Sequence, residues 1–114
     1  MKECDLSLLF FDSSIFSDIE GVVEAMSVKK KWQGVDCLEV FYEEPITTKD
    51  LPLIVDAFLR KPLINRLLNL HGRKALRIGV FFDTANCTVD LNSLTLSQLQ
   101  QFNLELTFSC YPTA

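Results

Sequence analysis

Residues 104–111 alternate without interruption: Leu104, Leu106, Phe108 and Cys110 fall on one side of an extended chain, and Glu105, Thr107, Ser109 and Tyr111 on the other. A period of two does not fit a helix, whose faces recur every 3.6 residues, so this stretch is a strand with one apolar face. Pro112 ends it, because proline has no N–H to give to a ladder. One strand can neither bury that face nor pair its own backbone. The rest of the chain must therefore supply further strands and a covering layer.

Other segments supply both. Leu6 to Phe11 is mostly apolar on both faces, with Leu6, Leu8 and Phe10 on one and Ser7, Leu9 and Phe11 on the other, which suits a strand inside a sheet with helices on at least one side. Ser17-Asp18-Ile19-Glu20 matches a capping box, and Ile19, Val22, Val23 and Met26 follow helical spacing. Val28 to Trp32 and Val35 to Tyr42 read as strands joined by Gln33-Gly34, where glycine supplies the positive φ of a tight hairpin turn. Thr48 is placed to cap a helix over 49–59. Lys61-Pro62 breaks that helix, and Pro62 opens the next, which Gly72 closes. Arg77 to Phe82 is a strand, Cys87 to Leu91 a short one, and Thr95-Leu96-Ser97-Gln98 a second capping box before a short helix. The expected order is βαββααββαβ. The fold class is α+β, a single domain over residues 1–114 with a mixed or mostly antiparallel sheet packed with helices. Leu6, Leu8, Phe10, Ile78, Val80, Leu104, Leu106 and Phe108 are its expected sheet core.

Composition limits what such a domain can be. An apolar content of 48% supports one sizeable core. No apolar run exceeds the four residues Leu8 to Phe11, against the roughly 18 of a membrane span, and nothing near the N-terminus resembles a signal peptide. Cytoplasmic residence is expected. In that setting Cys4, Cys37, Cys87 and Cys110, widely spaced and without a C-x-x-C pair, are expected to be buried reduced thiols. His71 alone completes no zinc site, and its place before Gly72 suits a helix C-terminus. No metal, cofactor or catalytic residue is assigned.

Charge is the strongest functional signal. Met1 to Asp56 carries twelve acids and five bases, a balance of -7; Ala57 to Ala114 carries three acids and six bases, or +3. Glu20 and Glu24 share the outward face of the first helix, and Glu39 and Glu43 one side of the third strand. With Glu44 and Asp50 they form a candidate partner-binding set. A carboxylate pair for acid-base work needs surroundings that separate two pKa values, which the sequence does not supply. Lys29-Lys30-Lys31-Trp32 and the bases Arg60, Lys61, Arg66, Arg73, Lys74 and Arg77 could contact nucleic acid. A sequence pI near 4.9 weighs against it, and a lysine-guarded edge strand explains the first group.

From Arg73 onward, the run LRIGVFFDTANCTVDLNSLTLSQLQQFNLELTFSCY resembles the C-terminal part of a bacterial domain family of unknown function found among polymorphic-toxin immunity proteins. The shared features are a strand, a second strand with a short capped helix after it, and a final alternating strand ending at Tyr111. These are structural, so no functional residue is carried over. The resemblance implies an immunity or antitoxin-like protein whose partner is a cognate toxin domain. The charge asymmetry fits a toxin that acts on nucleic acid and so presents a basic surface. Two other classes remain: a small enzyme or ligand-binding domain with a pocket between sheet and helices, and a structural subunit that forms a homodimer through an exposed strand.

Overall fold

In the computed structural model the described residues are 3–11, 27–32, 34–70, 72–82 and 89–112, with 27–30 described as backbone. They form β1 (Cys4–Phe10), β2 (Ser27–Trp32), β3 (Val35–Phe41), a 3-10 turn (Thr48–Asp50), α1 (Leu51–Arg60), α2 (Pro62–Leu68), β4 (Lys74–Phe82), α3 (Ser93–Gln101) and β5 (Glu105–Pro112). The five strands make one sheet in the order β2-β3-β1-β4-β5. Pairing is antiparallel except between β4 and β5, which run parallel. The fold is α+β with a mixed sheet.

β1 is covered on both faces because it is the central strand, its first face apolar and its second carrying Asp5 and Ser7 beside Leu9. Leu8 lies between Val40 and Leu76, and Leu6 is paired with Ile78. One face of the sheet carries the main core: Cys4, Leu6, Leu8 and Phe10 of β1, Leu38 and Val40 of β3, and Leu76, Ile78 and Val80 of β4. The helices close over this face with Val55 and Phe58 from α1, Ile64 and Leu67 from α2, and Leu99 from α3. On the opposite face Leu9, Cys37 and Ala75 are buried beside Phe11 and Trp32.

The helical pair breaks where proline requires it. Lys61 is held at ψ 131°, outside the α region, by the ring of Pro62, so α1 ends and α2 begins around one extended residue. Two helix ends differ from expectation. α1 is preceded by the 3-10 turn, and its N-cap position falls on Asp50 instead of Thr48. α2 stops at Leu68, three residues short of His71, where the Lys74 ammonium donates to the carbonyls of Leu68 at 2.9 Å and Leu70 at 2.6 Å. A buried lysine thus satisfies carbonyls that a helix terminus leaves open.

α3 starts earlier than the Thr95 capping box implies. Asn92 is its N-cap, and the Asn92 Oδ1 accepts from the Thr95 N–H and the Thr95 hydroxyl, each at 2.9 Å. Thr95 is buried within the helix's first turn. Of the expected strand over 87–91, residues 89–91 are irregular, and 87–88 lie outside the described residues. The helix expected over 17–26, Gln33 and His71 are also outside them. Gly34 has the expected positive φ of 82°, and Trp32 pairs with Val35 across the two-residue turn.

The expected core needs one correction. Leu6, Leu8, Phe10, Ile78, Val80 and Leu104 are buried and Leu106 is half-buried, but Phe108 is 46% exposed. Alternation identifies the apolar face of β5. It does not reveal that β5 is an edge strand, where that face is only partly covered.

Candidate partner-binding surface

The chain between β3 and α1 presents three of the six candidate acids. Glu43, Glu44 and Asp50 are exposed. Their segment is tied to the start of β1: the Glu3 and Cys4 N–H groups donate to the Ile46 carbonyl at 2.9 and 3.1 Å. The Glu3 carboxylate in turn accepts from the Thr48 N–H at 2.8 Å and the Thr48 hydroxyl at 2.9 Å. These bonds, the backbone one first, hold the Glu3 carboxyl below its ordinary pKa. Ile46 itself is fully buried. Asp50 accepts from the Thr47 hydroxyl at 3.0 Å. The acids therefore stand on a stretch fixed at both ends and in its middle.

Glu39 does not belong to this surface. Its side chain is 1% exposed and lies on the second sheet face, where its carboxylate accepts from the Ser7 hydroxyl at 2.6 Å and meets the Arg77 guanidinium at 3.6 Å. Ser7 is opposite Arg77, and the next residue on that face of β1, Leu9, is opposite Glu39, so the two charges flank the central strand. Arg77 also donates to the Tyr111 hydroxyl and lies 5.8 Å from the Trp32 ring centroid. Gly79 provides the room for this arrangement: a Cβ there would come within 3.0 Å of Tyr111 Cε2 and 3.3 Å of the Arg77 guanidinium. Glu39 is thus withdrawn from the candidate set, because burial and pairing consume its charge. Glu43, past the end of β3, is not its neighbour on a strand face. Glu20 and Glu24 lie outside the described residues.

The bases of the second half are largely spent within the fold. Arg60 binds Asp56 at 2.8 Å and Arg73 binds Glu105 at 2.6 Å, a bond that raises the Arg73 pKa. Arg77 is buried against Glu39, and Lys74 is buried under α2, where desolvation lowers its pKa. Lys61 and Arg66 remain exposed. Trp32 is not an open stacking platform either, since it packs beside Leu9 and Cys37.

The cysteine expectation is half corrected. Cys4 and Cys37 are buried thiols, and burial, with Glu3 and Asp5 nearby, pushes Cys4 up to about 11. Cys110, in contrast, is disulfide-bonded. It sits exposed on the edge strand, where alternation alone suggests a small apolar residue. No described helix is long and apolar enough to cross a membrane.

Fold and surface together define an α+β domain with a fixed acidic segment and a buried ion pair. Compared with known protein families, curated proteins and solved structures, the chain has no match.

Proposed function

We propose that the protein is an immunity-type binding protein that captures a toxin domain through the acidic segment around Glu43, Glu44 and Asp50. The observation that carries this reading is the fate of the charges. Of the six bases in the second half, Lys74 and Arg77 are buried and Arg60 and Arg73 are held in surface ion pairs, while Glu43 and Glu44 are exposed without an ion pair among the described residues. An acidic surface steers a basic partner, accelerates encounter and competes with phosphates for the surface of a toxin that acts on nucleic acid. The segment's backbone ties to β1 add preorganisation, so little ordering remains to be done on binding.

Composition favours cytoplasmic residence. The Cys110 disulfide weighs against it, because cytosolic thiol buffers keep cysteines reduced. Fractionation of the native protein decides the compartment.

The neighbouring genes are the first test, since a metabolic operon there would overturn the reading; the binding test then uses a toxin domain that a neighbouring gene encodes. Glu43→Lys, Glu44→Lys and Asp50→Lys together should leave the fold intact and slow association by about tenfold or more, and the wild-type rate should fall as salt rises. Cells carrying the triple variant should lose protection. An unchanged, salt-independent rate with full protection would overturn the acidic-surface reading.

A further inference from the structure

The two edges of the sheet are β2 and β5, and they are not alike. An edge strand offers a row of unpaired N–H and C=O groups, and natural sheets guard such rows with charge. β2 reads SVKKKW. Pairing it with a copy of itself about Lys30 would set Lys30 opposite Lys30 and Lys29 opposite Lys31, like charges face to face. β5 reads ELTFSCYP, and its one charged residue, Glu105, is its first. Leu106 to Tyr111 carries no charge at all, and Phe108 and Tyr111 are 46% and 36% exposed.

β5 is also held in place from its inner side. It runs in register with β4 from Ala75 opposite Glu105 to Phe82 opposite Pro112. Arg73 fixes its start through Glu105. Near its end Tyr111 accepts from Arg77 and stacks on Phe81 at 5.2 Å between centroids. The outer rim is therefore preorganised for a further strand.

We propose that this rim pairs with β5 of a second copy of the chain, antiparallel and centred on Phe108, joining two five-stranded sheets into one of ten across a two-fold axis. The strand is self-complementary in that register. Phe108 meets Phe108 of the second copy, an aromatic cross-strand pair; Thr107 faces Ser109, Leu106 faces Cys110, and Glu105 faces Tyr111. The two Glu105 carboxylates stand at opposite ends of the ladder, about 20 Å apart and beyond the reach of unscreened repulsion at physiological salt. Because Cys110 is already disulfide-bonded, the association needs no cross-link between copies.

Sedimentation of the full chain without reductant, up to about 100 µM, should give a dimer mass. Phe108→Lys, which places like charges at the centre of the ladder, should weaken the dimer at least a hundredfold. Leu53→Lys, on the most exposed of the large apolar side chains among the described residues at 73%, should leave it unchanged. Amide exchange supplies a readout that does not depend on any variant: the outward N–H groups of β5 should gain protection as concentration rises. A wild-type monomer across that range overturns the proposal, as do equal effects of the two variants. Protection of β5 that appears only on adding the toxin domain overturns it too, and assigns the edge to the toxin. The dimer is measured without toxin, so it stands or falls separately from the acidic-surface reading.

Discussion

Arg77 and Glu39 show how a single side chain changes meaning once it is placed. In sequence Glu39 is one more acid in an acidic half, and Arg77 one more base in a basic half. In the fold they meet across β1 with 6% and 1% of their side chains exposed. Strand alternation assigns each to a face, but only the register through β1 brings these distant residues together, and register between remote strands is not written in local periodicity. Removing one partner of a buried pair strands the other charge. Arg77→Met should therefore cost about 3 to 5 kcal/mol in denaturant unfolding, and adding Glu39→Leu should return much of that loss. Losses that simply add would show that the two charges do not interact. Gly79 belongs to the same site, since a side chain there would push Tyr111 from its place over β4.

At the scale of elements, the sequence is most legible where local chemistry decides the backbone. Gly34 in its hairpin, Pro62 at the start of α2 and the alternation of β5 need no distant partner to be read correctly. It is least legible at helix ends with competing signals. Thr95-Leu96-Ser97-Gln98 and Asn92-Ser93-Leu94-Thr95 both offer a start for α3, and asparagine outranks threonine as a cap. That ranking alone is enough to prefer Asn92. Asn92→Ala should cost about 0.5 to 2 kcal/mol, whereas a change at the exposed Ser97 should cost little. Equal effects at the two positions would mean that Asn92 does not cap the helix. Gln98, the last residue of the expected box, serves packing between helices instead, because its side-chain amide donates to Asp56 at 2.7 Å and ties α3 to α1.

At the scale of the whole molecule, the two halves of the chain lie side by side in one sheet. The acidic half supplies β2, β3 and β1, and the basic half adds β4 and β5 beside them. That order could not be read from the chain, because the β1–β4 pairing joins its two halves. The disulfide at Cys110 was equally hidden, since four dispersed cysteines and no C-x-x-C pattern carry no pairing information. It leads to a definite thiol count. Unfolded without reductant, the chain should expose two thiols, those of Cys4 and Cys37, and reduction should raise the count to four. Folded, both should resist alkylation at neutral pH: both are buried, and Cys4, with its pKa pushed up to about 11, has almost no thiolate to react. Reduction should also lower stability by about 2 to 5 kcal/mol, because it frees the edge strand from its cross-link. Four thiols before reduction would remove the disulfide and restore the argument for a reducing compartment.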